Sequence, residues 1–178
     1  MKQRLLIDSK QMDLTLNRLC HQLIEEHKDF SDSVVLGIQR KGVPLAKRIH
    51  KKLSEILNKK DIHFGDLDIT FYRYDFRKKE LINSSTHVDF SIEDKNVILI
   101  DDVLYTGRTV RAALDAMLAF GRPKDVELLV LIDRRLSRNL PINAKYSGKI
   151  IDSIASERVL VQWKETGGND EVILMTER

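Results

Sequence analysis

The chain has 178 residues, enough for one well-buried domain and short for two. With 42% hydrophobic and 32% charged residues it has the composition of an ordinary soluble globular protein, which excludes the disordered class. A net charge of only +3 offers no global electrostatic case for nucleic acid, so any RNA contact has to rest on a local patch.

Cys20 is the single cysteine, which rules out an intramolecular disulfide and suits a reducing compartment. It lies on an apolar helix face and reads as a packed core thiol. Residues 1–10 hold no hydrophobic stretch of signal length, and no run approaches membrane-spanning length. The expected location is cytoplasmic, with no membrane partner. No repeat, low-complexity tract or Pro/Gly/Ser linker divides the chain, so one domain over residues 1–178 is expected.

In chain order, residues 5–7 read as a short strand and Asp8 or Ser9 opens a helix. Met12, Leu16, Leu19, Cys20, Leu23 and Ile24 then recur at helical spacing on one face. Ser33–Ile38 is an apolar, largely β-branched run that reads as a buried strand. It ends in Gln39-Arg40-Lys41-Gly42, after which Val43, Ala46, Ile49, Leu53 and Ile56 define the inner face of a second helix. Two cations beside the open amides of a helix start suit a pyrophosphate, which makes Arg40, Lys41 and Gly42 candidate ligands. Lys47, Arg48, His50, Lys51 and Lys52 fall on the outer side of that helix and read as a solvated face.

Residues 68–72 alternate enough for a strand. Residues 73–89 follow, polar and nearly devoid of core positions; a loop of that length within a compact domain is functional or disordered. Beyond residue 117, Gly121-Arg122-Pro123 ends a helix. Residues 126–132 form another buried strand, closing in Asp133-Arg134-Arg135. An irregular segment runs from Leu140-Pro141 to Lys149, and residues 158–163 and 171–175 are strand candidates. The five histidines show no metal-ligand spacing, and Trp163 and Tyr146 read as packing residues of the C-terminal part. Strands alternating with helices imply a doubly wound α/β architecture, a mainly parallel sheet flanked by helices, with ligands at the carboxyl ends of the strands.

The most informative stretch is residues 96–117, N-V-I-L-I-D-D-V-L-Y-T-G-R-T-V-R-A-A-L-D-A-M. An apolar strand runs into Asp101 and Asp102; the polar turn Tyr105-Thr106-Gly107-Arg108-Thr109 follows; Val110, Ala113, Leu114 and Met117 then return at helical spacing. The free amides and positive dipole end of that helix make an anion cradle. Gly107 permits close backbone approach, and the hydroxyls of Thr106 and Thr109 add donors. Neither the lysine-containing nucleotide phosphate loop nor the three-glycine dinucleotide fingerprint is present. A monophosphate-sized cradle beside two carboxylates suits a sugar phosphate, the loop taking the phosphate and the acids accepting from ribose hydroxyls. An acid pair taken alone reads equally as a loop cap.

The phrase D-D-V-L-Y-T-G-R-T-V-R-A resembles the phosphoribosyl pyrophosphate (PRPP) motif of type I phosphoribosyltransferases. Within them it is most similar to the family of pyrimidine-operon regulators that also have uracil phosphoribosyltransferase activity. The likeness extends over nearly the full chain. It implies a type I phosphoribosyltransferase fold with a small C-terminal hood over the base, about residues 140–178. It also implies the reaction of PRPP with uracil to give UMP and diphosphate. Tyr105 to Thr109 would hold the 5-phosphate, and Asp101 and Asp102 the ribose diol near the anomeric carbon. Arg40, Lys41 and Arg73 would face the pyrophosphate. Arg134 and the segment 156–159, with Val159, would face the base. Mg²⁺ is the implied cofactor, held mainly by PRPP oxygens and water without a dedicated protein cage. Catalysis would rest on positioning and electrostatics without a covalent intermediate.

An oxocarbenium-like state has to be kept from bulk water, so residues 73–89 are expected to form a flexible lid. The family's Y-R-D-D here reads Tyr72-Arg73-Tyr74-Asp75, with tyrosine in place of the first acid. A homo-oligomer and a pyrimidine-operon leader mRNA are the implied partners, with UMP as effector. RNA binding is expected to be weak: Asp13, Thr15, Glu25 and Glu26 occupy the first helix beside Arg18 and His21, and Asn143 stands where an arginine would strengthen the patch. Arg134, Arg135 and Arg138 are counted as partial compensation. Two other readings stay open, a UMP-responsive RNA attenuator with little catalysis and a phosphoribosyltransferase for another base such as hypoxanthine.

Overall fold

From residue 33 onward, short β-branched apolar runs alternate with amphipathic helices, the pattern that builds a parallel sheet covered on both faces. The computed structural model describes residues 2–73 and 85–176. Its elements are β1 (Lys2–Ile7), α1 (Ser9–His27), β2 (Ser33–Ile38), α2 (Gly42–Ile56), β3 (His63–Leu67), β4 (Asn96–Leu104), α3 (Arg108–Met117), β5 (Asp125–Arg134), β6 (Tyr146–Ile151), β7 (Glu157–Gln162) and β8 (Glu171–Thr176). Five strands form a parallel sheet in the order β3-β2-β4-β5-β6, and β1-β8-β7 form a separate antiparallel sheet.

Period-two alternation divides the main sheet into two faces. Val35, Ile98, Ile100, Leu129 and Leu131 pack with α1 and α2. Val34, Leu36, Val97, Leu99, Leu128 and Val130 pack with α3. Helices on both faces make the sheet doubly wound, as the alternation of elements implies. Sequential order reverses between β2 and β4, so these neighbours send their following helices to opposite faces. A crevice opens between their carboxyl ends, the usual ligand position in such sheets.

α1 begins with a reciprocal cap: Gln11 N donates to Asp8 Oδ1 at 2.8 Å and Asp8 N to Gln11 Oε1 at 3.1 Å. Its stripe of Met12, Leu16, Leu19, Cys20 and Leu23 is buried as the spacing requires. Burial pushes the Cys20 thiol up to about 12, which keeps it an unreactive core group. Among the described residues no helix is long and apolar enough to cross a membrane.

Several expectations shift. The strand expected at residues 68–72 lies earlier, at His63–Leu67, because Asp68 starts a turn by accepting from Thr70 N and Oγ1 at 2.9 and 2.6 Å. On α2, Leu45 is buried and Ile56 is exposed. The outer face of α2 is not simply solvated. Arg48 forks onto Glu165 and Asp170 and lies 4.6 Å from the Trp163 ring centroid, and Lys52 reaches Asp13 at 2.7 Å.

Residues 146–149, read as irregular, begin β6, which pairs with β5 as an edge of the main sheet. The small sheet therefore starts after residue 151 and recruits β1, a strand not expected there. Tyr146 packs in the main sheet and donates to Glu127 Oε2 at 2.7 Å. The lid expected at 73–89 falls largely on residues 74–84, which lie outside the described residues. Ser85 to His87 instead close onto β3, with Asp68 N donating to Thr86 Oγ1 and a bridge between Asp66 and His87.

At the amino ends of the strands Glu127 is buried against three donors. Lys145 Nζ lies 2.5 Å from Oε1, and Tyr146 Oη and His27 Nε2 lie 2.7 and 2.8 Å from Oε2. Burial pushes the Glu127 carboxyl up, yet the hydrogen bonds from Lys145, Tyr146 and His27 outweigh it and hold the group below the usual range. A depressed carboxyl contributes stability above its unfolded pKa and loses it as pH falls through the folded value. Glu127→Gln is expected to cost about 1–3 kcal/mol at neutral pH, a fall of roughly 2–4 °C per kcal/mol for a chain of this size. Thermal melts of both proteins across pH should show the gap narrowing in acid.

Candidate active site

Four segments meet at the carboxyl ends of β2, β4 and β5 around a cleft of about 830 Å³. They are the turn after β2, the end of β4 with its loop, the end of β5, and the approach to β7. Arg73 reaches the same cleft.

β4 carries the two carboxylates, and the apolar run does not end at them: the strand continues through Asp101 and Asp102 to Leu104. Both acids are therefore strand residues, each only 6% exposed. Asp102 N donates to Asp101 Oδ1 at 2.9 Å, and Val103 N to Asp102 Oδ1 at 2.8 Å. Burial, reinforced by the charge of Asp102, pushes the Asp101 carboxyl well above the usual range. Burial also raises Asp102, against the opposing charge of Lys41.

Lys41 is brought there by the glycine that follows it. A Cβ on Gly42 would lie 3.0 Å from Asp101 Cα and would press into the carbonyl oxygen of Ile100. Only a residue without a side chain lets the β2 turn rest on the β4 backbone. The Gln39–Arg40 peptide in that turn is cis. Gln39, Arg40 and Lys41 all line the cleft.

The loop from β4 into α3 turns at Gly107, whose φ of 88° lies in the left-handed region that favours glycine. As the cap of α3, Gly107 offers no side chain to the helix's first amides; Thr106 Oγ1 accepts from Arg108 N at 3.4 Å. Tyr105 and Thr109 line the cleft, and Thr106, Gly107 and Arg108 complete the turn between them. This is the glycine-turned helix start that an anion needs.

Arg134 occupies the end of β5, but only 4% of it is exposed. Its Nε donates to Ser153 Oγ at 2.7 Å, and its Nη2 to the carbonyl oxygens of Ile154 and Glu157 at 3.0 and 2.9 Å. The guanidinium also lies 4.0 Å from the centroid of the Tyr105 ring. Much of its donor capacity thus holds residues 153–157 as one wall of the cleft, where Ala155, Glu157, Arg158 and Val159 face inward. Gln39 was not singled out by sequence reading, although it adjoins the two cations in an obvious turn; Glu157 falls within the 156–159 segment that the resemblance places near the base.

Residues 6–166 match the family model of the phosphoribosyl transferase domain. The chain is 44% identical to Bifunctional protein PyrR of Clostridioides difficile, covering 95% of this chain and 96% of that protein. It is 42% identical to the protein of the same name from Haemophilus ducreyi, covering 97% of each. The chain belongs to the PyrR family of phosphoribosyl transferase domains. Among solved structures, a hypoxanthine-guanine phosphoribosyltransferase of Bacillus anthracis superposes with a TM-score of 0.71 at 18% identity, covering 97% of this chain and 98% of that one. At that identity the similarity establishes the fold.

Within this PyrR-family cleft, Arg40, Lys41, Arg73, Asp101, Asp102, Tyr105, Thr109, Arg134 and Val159 are brought together as the motifs imply. Gly42 lies behind the cleft against β4. The basic residues at and after the end of β5 are not equally available, for Arg135 is exposed while Arg134 and Arg138 are held within the fold. Arg135 forks onto Asp152 at 2.9 and 3.0 Å, Arg138 is engaged by backbone carbonyls and Asp133, and Arg134 is buried. Arg18 likewise donates to the carbonyls of Ser147 and Gly148.

A carboxyl raised by folding destabilises the native state above its folded pKa, and that penalty disappears as pH falls towards the unfolded value. Asp101→Asn keeps an oxygen for Asp102 N and removes the charge. It is expected to raise the melting temperature at pH 7–8, by about 2–4 °C per kcal/mol recovered, with the gain shrinking on acidification. Melting curves over a pH series test this.

Proposed function

We propose that this protein is a uracil phosphoribosyltransferase that converts PRPP and uracil to UMP and diphosphate. The observation that carries the reading is the convergence, in one cleft, of the Arg40–Lys41 turn, the buried Asp101–Asp102 pair and the Gly107 helix start. A pyrophosphate, a ribose diol and a 5-phosphate need those three chemistries in one site. The family relationship gives the same class of reaction. In the proposed step the anomeric C–O bond breaks and its electron pair leaves with diphosphate. Uracil N1 forms the new C–N bond and gives up its proton, which the departing diphosphate takes up.

Each residue has a defined task in that step. Arg40, Lys41 and Arg73 offset charge on the departing diphosphate. The α3 amides and the hydroxyls of Thr106 and Thr109 hold the 5-phosphate, which fixes the sugar relative to the carboxylates. Asp101 and Asp102 accept from the ribose hydroxyls beside the carbon where positive charge develops. The wall held by Arg134, including Val159, faces the base. Among the described residues no three His, Cys, Asp or Glu side chains converge on a metal position. A Mg²⁺ ion would be held mainly by PRPP oxygens and water, and the chemistry it would supply is further charge neutralisation on the diphosphate.

Incubation with PRPP, Mg²⁺ and each of uracil, hypoxanthine and guanine, with nucleotide analysis, decides the base: UMP is the expected product, and a purine nucleotide alone would overturn the reading. Asp102→Asn is expected to lower kcat/KM on the order of a hundredfold or more while the fold persists. Activity at the wild-type level in that variant would remove Asp102 from the assigned role.

The name of the relatives, Bifunctional protein PyrR, favours a second activity, and attenuation at a pyrimidine-operon leader RNA with UMP as effector is the reading we carry for it. The engagement of Arg18, Arg134, Arg135 and Arg138 in intramolecular contacts supports weak RNA affinity, since phosphate contacts supply much of such binding. Filter binding to the organism's own leader RNA across a salt series, with and without UMP, is expected to give a shallow salt slope. Nanomolar, UMP-enhanced binding at physiological salt would overturn this.

A further inference from the structure

Arg138 sits in a short connection that ordinary reading assigns to surface charge, yet its guanidinium is the junction of three segments. Nε donates to the carbonyl oxygen of Ile142 at 3.0 Å. Nη1 faces the carbonyl oxygens of Leu104, Tyr105 and Arg134 at 3.2, 2.5 and 3.0 Å, and Nη2 pairs with Asp133. Leu104 and Tyr105 lead into the Gly107 turn; Asp133 and Arg134 close β5. The same connection supports the turn twice more. Asn139 N donates to the carbonyl oxygen of Thr106 at 3.0 Å, and a Cβ on Gly107 would lie 3.2 Å from Ile142 Cδ1. One rigid planar cation thus spaces the phosphate turn from the end of β5, across which the Tyr105 ring meets the Arg134 guanidinium at 4.0 Å.

We infer that Arg138 is a positioning residue that sets the distance between the 5-phosphate turn and the base wall, and so governs affinity for a nucleoside monophosphate without touching it. The inference rests on the reading of the cleft as a PRPP and UMP site. It also makes a distinction that general loosening of the fold would not. The Arg40–Lys41 turn follows β2 and has no contact with Arg138 among those described, so the pyrophosphate subsite should be indifferent to it.

The test is calorimetric titration of wild type and Arg138→Gln with UMP and, separately, with pyrophosphate plus Mg²⁺. UMP affinity is expected to fall about tenfold or more, the scale of one charge-assisted hydrogen bond, with pyrophosphate affinity unchanged. Equal weakening of both ligands, or UMP binding at the wild-type level, would overturn the inference. Wild-type protein that binds neither ligand would overturn the PRPP reading itself. Should Arg138→Gln not fold, Asp133→Asn leaves the four carbonyl contacts in place and frees only one edge of the guanidinium. It is expected to show a smaller loss confined to UMP, and an equal loss for both ligands would again overturn the inference.

Discussion

Two adjacent carboxylates buried in a central strand are expensive to keep, and much of the molecule near the cleft is arranged around that cost. No described side chain forms an ion pair with Asp101 or Asp102. They are supported by the amides of Asp102 and Val103 and, at longer range, by the charge on Lys41. Lys41 can act there only because Gly42 lets the β2 turn lie directly on β4. Close backbone contact between neighbouring parallel strands, at the point where their helices part, is therefore the constraint from which the electrostatics follow. Carboxyl groups raised in this way store free energy that any donor brought to them would recover.

The architecture was legible because its elements are short and periodic. Ser33–Ile38 was bounded correctly from its β-branched run, and the stripe of α1 from its spacing. The turn between β4 and α3 was legible because a glycine between hydroxyl residues separates an apolar run from an amphipathic one. What was not legible depended on long-range partners. His63–Leu67 contains His, Gly and Asp, weak strand formers that gain their place from pairing with the apolar β2. Tyr146–Ile151 looked irregular because Gly148 interrupts it; that glycine is demanded by the carbonyl of Leu131 and the methyl of Thr15, both close to where a Cβ would lie. The antiparallel sheet joins β1 to β8, residues at opposite extremes of the described chain, and no local pattern announces such a pairing.

Cations taught the same lesson at the level of function. Arg48, Arg134, Arg135 and Arg138 look interchangeable as sequence letters. In the fold, the first docks α2 onto the 164–170 turn, the second holds a wall of the cleft, the third pairs at the surface and the fourth spaces two loops. Arginine suits these tasks because its planar fork can satisfy several carbonyl oxygens at once. Counting positive residues along a segment therefore overstates what remains for an external anion.

The separate small sheet has a consequence for how the cleft comes into being during synthesis. The five parallel strands are complete once residue 151 has emerged, and with them the cationic turn, the acid pair and the helix start. The side of the cleft formed by residues 153–159 follows later, and β7 finds its partner β8 only when residues 171–176 arrive. Until then Arg134 lacks Ser153, Ile154 and Glu157, the groups that take up its donors. A nascent chain would thus display the cationic turn, the acid pair and the helix start before the wall that Arg134 holds has formed beside them.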